Sequence, residues 1–350
     1  MDRPISIGFS RYLNFRQAHS LLLYDFQNHV CGFTDVRFRN GEDMALDNGI
    51  DEVLKQFLQQ SRFTSQGGIV TDLDGTAVHE NQGHIYIPQP VEFGLKKLWE
   101  RGRPFILNSL RFPLSVMRTF GRAWYDISNA PIPTVTLNGS LLGYVTKTDE
   151  DEMSFEEIEA FPLTVAEIDE VLEGVQGLLD GGIKDILVFY YPRDWRIGEV
   201  IWTPVPDRVM HIKEKYLSAS SVTAVEFAKL REQMVAEELC MIFLLIEVPQ
   251  DRLMAYQHTK SSNFITRKGV DKLFGAQQIA PKLGIDILHS VGAGDTELDC
   301  FLSGVGLAIH VGNANLDFKG EFHTVKISNS FDFGELLFRL AEMQRDIVTK

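Results

Sequence analysis

From about residue 67 the chain alternates two hydrophobic patterns. "GGIVTDL" is a solid apolar run that ends in an acid, and it predicts a strand buried on both faces. "VEFGLKKLWERG" (91–102) spaces its apolar residues for one helix face and closes on glycine. "PFILNSL" (104–110) predicts the next strand, "LSVMRTFGRAW" a helix, and "PTVTLNGSLLGYV" (133–145) strands around an Asn-Gly turn. Such alternation predicts an α/β, Rossmann-like core in which helices cover a parallel sheet. The acidic stretch "TDEDEMSFEEIEAF" (148–161) changes the composition and reads as the exit from this unit.

A different block follows. "LTVAEIDEVLEGVQGLL" has helical spacing, "DILVFYYP" and "EVIWTPV" are strand-like, "VEFAKLREQMVAEEL" is helical and "CMIFLLIEVP" is an apolar strand. The α/β alternation then resumes and ends in the helix "FGELLFRLAEMQRDIV". The expected organisation is a core over 67–155 and 256–350 with a smaller α+β cap domain inserted at 156–255. Residues 1–66 form an N-terminal extension to which no role is assigned; "GIDEVLKQFLQQ" within it is helical.

Composition narrows the partners. A net charge of −14 in 350 residues argues against nucleic acid or an anionic membrane surface, because both rely on excess Lys and Arg. A small phosphorylated ligand remains compatible, since a local cation and backbone amides can hold it. No apolar run approaches the ~20 residues that span a bilayer, and "MDRPISIGFSRYLNF" lacks a signal-peptide core. Cys31, Cys240 and Cys300 are scattered without a CxxC, which fits reduced thiols in a cytoplasmic protein rather than a disulfide framework or zinc site. Oligomeric state is left open.

The chemistry is concentrated at predicted strand ends. In "VTDLDGTAVHE", Asp72 ends a strand, Asp74 sits on the loop and Gly75 lets the chain leave steeply. One carboxylate then faces a ligand beyond the sheet's carboxyl edge while the other reaches it from the side; an acidic turn is the alternative. "LNSLR" offers the Ser109 hydroxyl and a following amide to a phosphate oxygen, or merely a cap. Lys268 in "TRKGVDKLF" is placed at a helix opening, where a cation neutralises an anion, or is simply solvated. "VGAGDTELD" carries Asp295 and Asp299 in a glycine-flanked loop, as ligands or as helix cap and surface.

D-x-D-G-T, a strand-end Ser, a Lys and G-D-x-x-x-D, in this order, resemble the haloacid dehalogenase (HAD) superfamily of phosphatases. The insertion between Ser and Lys is similar to the Cof-type group with a class-two α/β cap, which includes sucrose-, mannosylglycerate- and trehalose-phosphate phosphatases. The resemblance covers about 67–340, and it includes the "LNGS" turn and the late "VGNA". It departs where the usual Thr-Gly-Arg reads Ser109-Leu110-Arg111 and where Leu298 precedes the last motif aspartate.

The resemblance implies an HAD-like core and a Mg²⁺-dependent hydrolase acting on a small phosphate monoester, most readily a sugar phosphate. Asp72 is the implied nucleophile, forming an aspartyl-phosphate, and Asp74 the acid and base. Asp72, the Asp74 carbonyl and Asp295 are the implied metal ligands, with Asp299 behind them. Ser109, Lys268 and amides at Leu73 and Leu110 would hold phosphoryl oxygens. Oxygen ligands without thiolate or His independently favour Mg²⁺. Neutralisation matters because a carboxylate approaching a phosphate dianion at ~4 Å meets about 8 kcal/mol of repulsion at an effective dielectric of ~20.

Further substrate contacts are expected from Arg111 and Asn138 on the core rim and from Arg193, Trp195 and Arg196 in the cap loop "YYPRDWRIGE", or that loop is an ordinary hairpin tip. His79 reads equally as a loop residue, and His289 and His310 as core. A sugar phosphomutase and a non-catalytic sugar-phosphate sensor are the competing readings.

Overall fold

Solid Val, Ile and Leu runs can be buried on both faces only inside a sheet, and they build the centre of this chain. The computed structural model describes residues 48–81, 84–246 and 262–348. In chain order these form helix α1 (Asn48–Gln60), strand β1 (Ile69–Thr71), a small hairpin β2 (His79–Asn81) and β3 (His84–Tyr86), and helix α2 (Gln89–Glu100). Strands β4 (Phe105–Asn108), β5 (Ile132–Thr136), β6 (Leu141–Lys147) and β7 (Met153–Ala160) follow. Next come α3 (Val165–Asp180), β8 (Ile186–Pro192), β9 (Val200–Trp202), β10 (Ser221–Thr223), α4 (Phe227–Ala236), β11 (Leu239–Ile246) and β12 (Ser262–Ile265). The chain closes with α5 (Lys272–Ile279), β13 (Val291–Gly294), β14 (Leu307–Val311), β15 (His323–Ile327) and α6 (Ser330–Val348).

Eight strands form one sheet in the order β15-β14-β13-β1-β4-β5-β6-β7. Pairing is parallel from β15 to β5 and antiparallel for β6 and β7. Strand β1 lies at the centre, with β4 added on one side and the much later β13 on the other. Winding reverses between β1 and β13, and α/β sheets bind ligands beyond the carboxyl ends of the strands at such a switch point. Asp72 and Asp295 follow those two strands directly. The expected α/β, Rossmann-like sheet with an added α+β unit is the fold observed.

The described residues divide into two compact units, one of them Leu163–Ile265 and the other the chain on either side of it. The inserted unit has its own five-stranded sheet, β10-β9-β8-β11-β12. Ile168, Leu172 and Val175 of α3 and Leu230 and Met234 of α4 bury Val188, Tyr190, Trp202 and Ile242 on one face. Thr164 starts α3 with a capping box shared with Glu167.

Two boundaries differ from the sequence expectation. The acidic stretch is not an exit: Met153–Ala160 pairs with β6 as the edge strand of the large sheet. An edge tolerates such charge because one side faces no neighbouring strand; Phe155 is buried, and Glu159 meets Lys282 at 3.2 Å. Second, residues 48–66 belong to the large unit rather than to an appendage. Leu54 and Phe57 are fully buried, Phe57 packs on Phe322, and Asp51 pairs with Arg339 of α6 at 3.1 Å. Residues 1–47, with Cys31, and the expected segment 256–261 lie outside the described residues; neither Cys240 nor Cys300 is in a disulfide. Among the described residues no helix is long and apolar enough to cross a membrane.

Candidate active site

The β1 strand ends where the Asp72 amide donates to the Ala293 carbonyl at 3.0 Å, tying it to β13. The chain then turns tightly, and the Leu73 carbonyl accepts from Thr76, Ala77 and Val78. Gly75 has φ +81°, and a methyl group there would collide with the Asp295 carboxylate. Glycine at 75 thus brings the two strand-end loops together. Thr76, fully buried, donates its hydroxyl to Asp295 Oδ1 at 3.1 Å.

The structure gathers Asp72, Asp295 and Asp299 into one group whose ligand oxygens lie within 4.8 Å of one another. Asp299 is fully occupied by protein: Oδ2 accepts from the Asp295 and Thr296 amides at 2.9 Å, and Oδ1 meets Lys272 Nζ at 2.6 Å. Lys272 Nζ also reaches Asp72 Oδ1 at 2.6 Å. Here the sequence assignment is corrected, because the cation between the aspartates is Lys272. Lys268 is exposed in the turn before the helix, which opens at Lys272 with Asp271 as its cap. The readable signal was that Asp cap, whose side chain accepts from the Phe274 amide.

Electrostatics follow from three carboxylates and one ammonium in a nearly dry space. Burial pushes the Asp72 carboxyl well above its ordinary range; Lys272 opposes this, and Asp299, Asp295 and Asp74 add to it. Burial and the Asp299 charge push Asp295 up to about 7, against Lys272 and Thr76. Burial alone would lower the Lys272 pKa, but Asp299 and Asp72 outweigh it and the net direction is up. Excess negative charge, all on oxygen, fits a hard divalent cation. With Asp299 held by Lys272 and amides, Asp72 and Asp295 remain to ligate it.

Asp74 stands apart from that acidic group. Its carboxylate is gripped by Arg111, with Nε to Oδ2 at 2.7 Å and Nη2 to Oδ1 at 2.8 Å. Burial would lower the Arg111 pKa, yet Asp74 reverses that and raises it. Ser109 is buried at the end of β4, and its hydroxyl accepts from the Arg111 amide at 3.1 Å. Leu73 and Leu110 flank these groups in sequence, so their amides belong to the same loops. Asn138 lies in a turn where Leu137, Asn138 and Gly139 all have positive φ, and its amide approaches the Ser109 carbonyl at 3.4 Å. Gly139 abuts the Asp271 carbonyl so closely that any side chain would clash.

Other expected contacts are local. Arg193 pairs with Glu238 at 3.3 Å; Arg196 pairs with Asp194 and lies over the Trp195 ring at 4.8 Å. All five belong to the inserted unit. His79 packs edge-on against Tyr86 and Phe331. His289 and His310 are buried, as expected of core histidines.

No family model and no curated relative matches the chain. Solved structures do. The phosphatase BT1666 of the HAD superfamily from Bacteroides thetaiotaomicron is similar with a TM-score of 0.55 at 14% identity, covering 79% of this chain and 96% of that one. The HAD subclass IIB sugar phosphatase BT4131 gives 0.53 at 15% identity, over 81% and 99% of the two chains. TM0651 from Thermotoga maritima gives 0.52 at 16%, over 78% and 97%. The fold is therefore HAD-like.

Proposed function

We propose that this chain is a phosphoryl-transfer enzyme, a Mg²⁺-dependent phosphatase that hydrolyses a small phosphate monoester, most simply a sugar phosphate. One observation carries the reading: Asp72 is buried between Lys272 and Asp295 at the switch point of an HAD-like sheet. The sugar phosphatase among the similar structures supports the substrate class.

Asp72 attacks phosphorus, forming an aspartyl-phosphate as the bond to the leaving oxygen breaks. Asp74 gives that oxygen its proton. Asp74 then takes a proton from water, the water oxygen bonds to phosphorus, and the Asp72 carboxylate is released. Lys272 and Ser109 hold phosphoryl oxygens and offset their charge. A Mg²⁺ ion held by Asp72 and Asp295, with the Asp74 carbonyl, would supply charge neutralisation and in-line orientation. Asp74 cannot donate a proton while both its oxygens accept from Arg111. Arrival of the phosphate dianion draws the guanidinium away, and the freed Asp74 oxygen takes up from solvent the proton that it then gives to the leaving oxygen. Leu73 and Leu110 amides complete the phosphate cradle, and Arg111 and Asn138 are assigned to further substrate contacts.

The test is incubation with Mg²⁺ and a panel of hexose, amino-sugar and disaccharide phosphates. Free phosphate supports hydrolysis; isomerised hexose phosphate without release supports a mutase; tight binding without turnover supports a sensor.

A further inference from the structure

Asn108 is fully buried at the last position of β4, directly before Ser109. Its Nδ2 donates to the main-chain carbonyl of Lys272 at 2.8 Å. Its Oδ1 is buried and finds no hydrogen-bond partner among the described residues. The bond to a carbonyl settles which amide atom is nitrogen, because two oxygens would repel. An orphaned buried acceptor costs stability, and a leucine of similar size would avoid that cost. Stability alone therefore does not explain an amide at this position, whereas the Lys272 carbonyl does.

That carbonyl belongs to the first residue of α5. Lysine carries its charge on a flexible four-carbon stem, so its ammonium is placed only as well as its main chain is held. The Lys272 peptide is braced on three sides: the Asp271 cap, the close approach of Gly139 to the Asp271 carbonyl, and Asn108. Of these, Asn108 ties it to the strand that presents Ser109. Two groups assigned to the same phosphoryl oxygens are thereby locked in one register.

We propose that Asn108 is a positioning residue whose amide, bonded to the Lys272 carbonyl, keeps the Lys272 ammonium seated between Asp72 and Asp299. The catalytic consequence rests on the phosphatase reading above; the seating of Lys272 does not.

The experiment compares the full chain with Asn108→Leu. Thermal unfolding, acylation of individual lysines by acetic anhydride read by mass spectrometry, and kcat and KM on a phosphate monoester with Mg²⁺ are measured together. In Asn108→Leu the lost bond offsets the orphaned acceptor removed with it, so the melting temperature stays within about 5 °C of wild type, while Lys272 is acylated at least about fivefold faster and exposed Lys282 is unchanged. Its kcat falls about tenfold with KM nearly constant, a 1.4 kcal/mol loss confined to the transition state. Lys272 as protected as in the wild type, or an undiminished kcat, overturns the proposal. Asn108→Ala gives the same two readings if leucine prevents folding. A wild type without phosphatase activity defeats the functional reading alone, and the acylation comparison still decides the role of Asn108.

Discussion

Arg111 holds Asp74 with two arms, Nε and Nη2 each bonded to a separate carboxylate oxygen at 2.7 and 2.8 Å. The pair is mostly buried, with the Arg111 side chain 10% and the Asp74 side chain 15% exposed. In the proposed mechanism it is a resting arrangement that proton transfer has to open. Arg111→Ala removes both the clamp and a cation near the entering dianion, so kcat/KM falls by at least about tenfold, mainly through KM. Arg111→Lys restores charge without the fork and recovers only part of it. Steady-state kinetics on one substrate check both; an unchanged KM in Arg111→Ala would refute the role.

Lys272 and Lys268 give opposite expectations. Lys272→Met leaves Asp72 and Asp299 buried without their counter-charge, costing about 3–5 kcal/mol of stability and nearly all turnover. Lys268→Ala, at an exposed position, stays within about 0.5 kcal/mol of wild type. Melting curves and turnover of the two variants decide which lysine serves the site.

Asp295 tests the cation. With Asp72 and Asp295 as ligands, saturating Mg²⁺ (about 100 times Kd) stabilises the wild type by about 2.7 kcal/mol, and Asp295→Asn loses most of that gain. The variant also needs at least about tenfold more Mg²⁺ for half-maximal turnover. A thermal-shift titration reads the first effect without any substrate. Equal shifts in the two proteins would place the ion elsewhere.

Glu199 in the inserted unit predicts a pH dependence. It is fully buried and bonded to Tyr191 Oη at 2.5 Å and Ser218 Oγ at 3.0 Å. Burial raises its pKa, against the two hydroxyl donors. A carboxyl raised on folding favours the folded state fully below its unfolded value of 4.5, and that contribution is lost as pH rises through the folded value. Glu199→Gln removes this titration, so its melting temperature gains on the wild type between pH 5 and pH 8. A constant difference across that range would mean Glu199 does not titrate there.

Much of this was legible in the chain. Strand-end Asp72 and Asp295, the glycine turn between Asp72 and Val78, and the inserted α/β unit follow from patterns confined to short segments. Lys272 was hidden because choosing between two lysines four apart depends on where a helix begins, and Asp271 sets that start through its own cap. Asn108 was unreadable, since its partner is 164 residues away and only the sheet brings them together. The acidic β7 misled because an edge strand can carry the charge of a linker.

In the proposed mechanism phosphorus is carried transiently on Asp72. Asp74→Asn should trap that state by slowing attack of water. Treating this variant with substrate, Mg²⁺ and then borohydride reduces an acyl phosphate to homoserine, located by mass spectrometry of the peptide. Homoserine at position 72, dependent on substrate, is the predicted result. Label on another carboxylate, or phosphate released with Asp72 never modified and Asp72→Asn still active, would contradict it.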